Sequence, residues 1–211
     1  MNALILVDIQ NDFLPTGALP VPDGDAVIPI ANRLSASSRF DLIIATQDWH
    51  PRDHGSFAIN HSGRKPGEVI MLNELEQILW PVHCVQNTPG AAFAPGLALE
   101  RLARVFQKGT DPRIDSYSGF FDNGHRKATG LADFLRHQGV TRVFVLGLAT
   151  DYCVQFTVLD ACKLGFAATL VVDGCRAVNV RPGDDARALN SMRTAGSDRD
   201  DQRRRPQKRR P

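Results

Sequence analysis

The feature that most constrains this chain is a regular alternation. Short apolar runs at 3–7 (ALILV), 42–46 (LIIAT), 104–108 (RVFQK), 142–147 (RVFVLG) and 168–172 (ATLVV) are separated by helical patterns near 25–37, 128–138, 151–164 and 183–195. Several of the runs are continuously apolar, as in parallel strands buried on both faces. Strands that alternate with helices need crossover connections, which predicts a three-layer α/β fold, a mainly parallel sheet flanked by helices on both faces. With 211 residues and 43% apolar content the chain can bury one sizeable core, so a single domain over residues 1–196 is expected. The segment 57–103 is punctuated by Pro, Gly and Asn and shows no clear period.

Composition and charge remove several classes of function. No apolar stretch approaches the roughly 20 residues that cross a bilayer. The opening MNALILVDIQ has no basic start and carries Asp8 in its apolar run, unlike a secretory signal. The expectation is a cytoplasmic protein with no membrane partner. Four cysteines, Cys84, Cys153, Cys162 and Cys175, form no C-x-x-C pair and fit neither a disulfide framework nor a thiolate zinc site. The net charge of +2 hides a tail at 197–211 with seven basic and three acidic residues, which leaves the rest of the chain at −2. The body thus shows no specific nucleic-acid surface. The tail lacks an alternating apolar pattern and is expected to be disordered, holding polyanions loosely at most.

Open parallel sheets bind ligands beyond the carboxyl ends of their strands. Asp8 follows the first run, Asp48 and His50 the second, Lys108 ends the third, and the fourth leads through GLATDYCV to Cys153. Thr150 or Asp151 offers a helix cap that would place the thiol in a first helical turn. There the dipole and free amides favour a thiolate and can hold an oxyanion. An isolated cysteine is more often a small buried hydrophobe. The strand-to-helix turn, with Asp8 as proton acceptor and Lys108 as a positive charge, tips the reading to a nucleophile. Asp48 and His50, two apart on extended chain, project from one face. A carboxylate and an imidazole suit a divalent metal, with His83 of PVHCV as a third ligand and open positions left over. A lone D-x-H is a weak signal, and His54 and His61 are alternatives that spacing leaves open.

In order along the chain, LILVDIQNDF, TQDWHP followed by HGSFA, WPVHCVQ, KG, DSYSGF and GLATDYCV resemble the blocks of the nicotinamidase/pyrazinamidase group of isochorismatase-like cysteine hydrolases, over residues 2 to about 196. The resemblance implies a catalytic triad of Asp8, Lys108 and Cys153. It implies one divalent metal ion (zinc, or manganese or iron) on Asp48, His50 and His83, with His54, Ser56 or water as a fourth ligand. It also implies a cis peptide between Leu148 and Ala149 that aims the Ala149 and Cys153 amides at an oxyanion, and a substrate pocket lined by Phe13, Leu19, Trp49 and Tyr117.

The implied activity is hydrolysis of nicotinamide to nicotinate and ammonia in NAD salvage, through a cysteine thioester, with the metal on the pyridine nitrogen. Pyrazinamide is implied as a further substrate. Nicotinamide is then the small-molecule partner, and a homo-oligomer is compatible with the resemblance. The alternatives are an isochorismatase or N-carbamoyl amidase, which lack this metal trio, and a non-catalytic scaffold with a polyanion-binding tail. Members of the group follow SMRTAG with a further short strand. Here the sequence turns charged after Gly196, which leaves the last edge strand of the sheet in question.

Overall fold

The computed structural model describes residues 1–200. The chain runs through β1 (Asn2–Val7), α1 (Ile28–Ser35), β2 (Leu42–Asp48), β3 (Val69–Leu72), β4 (Leu75–Ile78) and β5 (Leu102–Lys108). It continues with α2 (Leu131–His137), β6 (Arg142–Leu148), α3 (Gln155–Lys163), β7 (Ala167–Arg176), α4 (Asp184–Thr194) and β8 (Asp198–Asp200). Six strands form one sheet in the order β5-β2-β1-β6-β7-β8, and every neighbouring pair is parallel. From β1 the chain first steps outward to β2 and β5, then returns to build the other half from β6. Right-handed crossovers on opposite sides of that reversal put α1 on one face of the sheet and α2, α3 and α4 on the other.

The central strands explain the continuously apolar runs. All of β1 after Asn2 and all of β6 after Arg142 is buried, and each fully buried Leu or Ile contributes about 1.5–3 kcal/mol. The edge strand β5 differs, because among its seven residues only Phe106 and Lys108 are buried. Lys108 is therefore a buried charge at the end of a largely exposed strand.

Two expectations change. The unpatterned stretch 57–103 contains an antiparallel hairpin, β3 with β4, paired from Val69↔Ile78 to Leu72↔Leu75. Its turn is Asn73-Glu74, with φ of 49° and 70°, the left-handed geometry of a tight two-residue hairpin. Glutamate in place of the usual glycine hides that signal. At the other end of the chain, β8 is present and pairs with β7 as Thr169↔Asp198, Leu170↔Arg199 and Val171↔Asp200. This short edge strand rests on backbone pairing and charge rather than apolar alternation. Arg39 meets Asp200 at 2.7 Å and Arg142 meets Asp198 at 3.3 Å, while Arg199 Nη2 donates to the Leu189 carbonyl at 2.9 Å. Charged side chains on such an edge also discourage pairing with other chains. The expectation of disorder from Ser197 thus fails for 198–200, and its remainder, 201–211, lies outside the described residues. Among the described residues no helix is long and apolar enough to cross a membrane, and all four cysteines are free.

Candidate active site

The reversal between β1 and β6 opens a crevice at the carboxyl ends of the strands, and chemistry-bearing residues converge there. Asp8 follows β1 with φ of 48°, a left-handed conformation that aspartate enters more readily than most residues. Asp48 ends β2 and Lys108 ends β5. Cys153 lies in a π-helical turn, Thr150–Val154, between β6 and α3. All four are buried.

Lys108 Nζ donates to Asp48 Oδ1 at 2.5 Å, to the Ser116 carbonyl at 2.9 Å and to Cys153 Sγ at 3.3 Å. It also stands 2.8 Å from Asp8 Oδ2. An ammonium has three protons for these four neighbours, and the Asp8 carboxylate is among the groups it holds. The other Asp8 oxygen, Oδ1, accepts from the Thr46 hydroxyl at 2.6 Å. Burial raises the Asp8 carboxyl above its ordinary value, with Lys108 opposing and Asp48 adding to the rise. Burial disfavours the Lys108 ammonium too, but Asp48 and Asp8 outweigh it and hold that group well above its usual range.

The thiol departs from the sequence expectation. Burial pushes Cys153 well above an ordinary cysteine, and the attraction of Lys108 does not overcome it. Burial thus favours the thiol form of Cys153. The expected cap is also absent, since neither Thr150 nor Asp151 makes a side-chain cap at the head of this turn. The Asp151 carboxylate instead accepts from the backbone amides of Val178 and Asn179 at 3.0 and 2.7 Å, tying the loop after β7 to the nucleophile turn. The Leu148–Ala149 peptide is cis.

A second constellation adjoins the first. Asp48 Oδ2 lies 3.5 Å from His50 Nε2 and 3.8 Å from His83 Nε2. His50 Nδ1 meets the Gly109 carbonyl at 2.9 Å and His83 Nδ1 the Pro81 carbonyl at 2.8 Å. A carbonyl only accepts, so each Nδ1 carries the proton and each Nε2 offers its lone pair toward Asp48. His50 Nε2 is buried and, beyond its approach to Asp48, has no hydrogen-bond partner. Among these neighbouring buried side chains, Asp8, Asp48 and Asp115 outnumber the single cation Lys108. Lone pairs converging on a carboxylate, with uncompensated negative charge behind them, fit a divalent cation.

The alternative histidines separate on geometry. His54 packs its ring 4.4 Å from that of His50, and its Nδ1 meets Ser56 Oγ at 2.7 Å. Its buried Nε2 has no partner, and burial pushes its pKa down to about 4. His54 groups with His50 and Asp115, not with the Asp48–His50–His83 set. His61 Nε2 is engaged by the Gly55 carbonyl at 2.7 Å and joins neither group.

The cavity holding Cys153 is lined by Phe13, Leu19, Asp48, Trp80, His83, Asp115, Tyr117, Ala149, Tyr152 and Val178. Phe13, Leu19 and Tyr117 stand where the resemblance implied. Trp49 does not, because it follows Asp48 on extended chain and its side chain leaves from the opposite face. The indole in the cavity is that of Trp80, whose Nε1 donates to Tyr117 Oη at 3.2 Å. Asp115, Tyr152 and Val178 were also not foreseen. WPVHCVQ and DYC carried Trp80 and Tyr152 within the quoted blocks, whereas Val178 has no local signal.

Comparison with known proteins identifies the family of the chain. The isochorismatase domain family matches residues 2–199. The nicotinamidase of Escherichia coli (strain K12) is 52% identical over 198 residues, covering 93% of this chain and 92% of that protein. The structure of a nicotinamidase/pyrazinamidase of Acinetobacter baumanii superposes with a TM-score of 0.90 at 42% identity, covering 94% of each chain. That of the Pyrococcus horikoshii pyrazinamidase in complex with zinc does so with a TM-score of 0.76 at 42% identity, covering 94% of this chain and 98% of that one. This chain belongs to the isochorismatase domain family, alongside its nicotinamidase relatives.

Proposed function

We propose that this protein hydrolyses nicotinamide to nicotinate and ammonia, with Cys153 as nucleophile. The observation that carries the reading is Asp8 Oδ2, which is buried and 2.8 Å from the Lys108 ammonium. It shares a cluster with Cys153 Sγ in which the ligating atoms lie within 4.8 Å of one another. A carboxylate beside a thiol is the arrangement that proton transfer needs. The nicotinamidases of high identity supply the substrate class.

Asp8 takes the Cys153 proton as the sulfur attacks the carboxamide carbon, and Lys108 stabilises the negative charge in transit. The amides of Ala149 and Cys153 hold the oxyanion. Asp8 returns the proton to the departing nitrogen, the carbon–nitrogen bond breaks, and ammonia leaves a thioester on Cys153. Water activated by Asp8 then hydrolyses the thioester to nicotinate and regenerates the thiol. Phe13, Leu19, Trp80 and Tyr117 exclude bulk water and orient the ring. Asp48, His50 and His83 would hold a divalent cation, with zinc favoured by the P. horikoshii relative. When bound, such an ion supplies positive charge and open positions for a ring nitrogen or water. The same ring and carboxamide geometry makes pyrazinamide a second substrate, and nicotinate release places the reaction in NAD salvage.

The test is ammonia and nicotinate release by the purified, metal-replete protein, with acid-quench mass spectrometry of the Cys153 peptide. A nicotinoyl adduct on Cys153 is expected. Stoichiometric ammonia release with no adduct under single-turnover conditions would exclude the thioester, and no release from nicotinamide or pyrazinamide would exclude the substrate class.

A further inference from the structure

Tyr152, next to the nucleophile, stands between two spaces of unequal size. The cavity with Cys153 offers a volume of about 30 Å³. Outside it, a groove of about 380 Å³ runs between the β3–β4 hairpin and the start of α4, with Val69, Ile78, Phe156 and Val180 among its apolar walls. Tyr117 and Tyr152 line both spaces. Their anchoring differs. Tyr117 Oη accepts from Trp80 Nε1 at 3.2 Å and from Gln77 Nε2 at 3.1 Å. Tyr152 is held by ring contacts alone, edge-on to Trp80 at 4.8 Å and to Tyr117 at 5.4 Å. Two directed hydrogen bonds fix one ring, while dispersion and quadrupole contacts worth about 0.5–1.5 kcal/mol per pair hold the other.

We propose that the Tyr152 ring is the specificity-determining partition between the Cys153 cavity and the outer groove, limiting the protein to single-ring aromatic carboxamides. The inference rests on the amidase reading and extends it to substrate size. With the ring removed the two spaces join, and the apolar walls of the groove receive the second ring of a fused bicyclic carboxamide. Because its hydroxyl makes no hydrogen bond, the ring rather than the phenol group sets the limit.

The experiment has two arms, run on the full chain as wild type, Tyr152→Ala, Tyr152→Val and Tyr152→Phe. The first measures alkylation of Cys153, resolved by peptide mass spectrometry, with iodoacetamide and with a pyrenyl maleimide. The ratio of bulky to small reagent cancels changes in thiol reactivity and needs no amidase turnover. The second measures the ratio of kcat/KM for quinoline-3-carboxamide to that for nicotinamide. In Tyr152→Ala and Tyr152→Val both ratios rise at least about tenfold, and in Tyr152→Phe both stay near wild type. An unchanged alkylation ratio in either shortened variant that keeps wild-type circular dichroism overturns the partition. A raised alkylation ratio with nicotinamide turnover but no gain on the bicyclic amide overturns the size limit. A raised alkylation ratio with no turnover of any amide by any of the four proteins overturns the amidase reading and supports the partition.

Discussion

The Gly109 carbonyl accepts from His50 Nδ1 at 2.9 Å, and a Cβ added to Gly109 would lie 2.3 Å from the same imidazole ring. Gly109 also has φ of 65°, which L side chains rarely adopt. Gly109→Ala is therefore expected to displace His50 and to weaken retention of a divalent ion by about 10–100-fold. Equilibrium dialysis of the chelator-stripped protein against zinc checks this. His83→Ala should give a comparable loss and His61→Ala none. Full metal retention by His83→Ala would remove that residue from the ligand set.

Cys153→Ala should abolish ammonia release and leave the fold intact, because the change is small and no other group can form the acyl bond. Asp8→Asn should lose about 10²–10⁴-fold in kcat, since an amide cannot carry the proton between sulfur and nitrogen. Circular dichroism together with a coupled ammonia assay separates these effects from unfolding.

Lys108 is the side-chain cation that faces both Asp8 and Asp48 where all three are buried. Lys108→Met leaves two carboxylates facing each other without it, and should destabilise the apoprotein by about 3–5 kcal/mol in urea unfolding. It also removes the attraction that opposes the raised thiol pKa of Cys153. The pKa climbs further, so alkylation of Cys153 at mildly alkaline pH should slow. An equal or faster rate would show that Lys108 does not act on the sulfur.

Truncation separates the edge strand from the basic tail. A chain ending at Asp200 keeps β8 and every proposed active residue, and should match the full chain in kcat/KM for nicotinamide. A chain ending at Gly196 loses the pairing of β7 with β8 and the Arg39–Asp200 contact. It should unfold at a lower temperature, with about 1 kcal/mol of the loss from the partly exposed ion pair. Scanning calorimetry on both chains checks the order.

The sequence by itself determined the alternation of strand and helix, and with it which residues stand at strand ends. Asp8, Asp48, Lys108 and the Cys153 turn were legible because periodicity and strand termination depend on neighbours within a few positions. The tertiary structure decided the rest. It brought His83 rather than His61 beside Asp48 and His50, from a loop with no period, and put Trp80 rather than Trp49 in the cavity. It buried Cys153 so that its pKa rises, where helix-start logic pointed to a thiolate. It added β8, whose residues Asp198, Arg199 and Asp200 pair through backbone and distant arginines. Each of these outcomes is a sum over groups far apart in the chain, since burial, charge balance and the facing of a side chain exist only once the strands have been brought side by side.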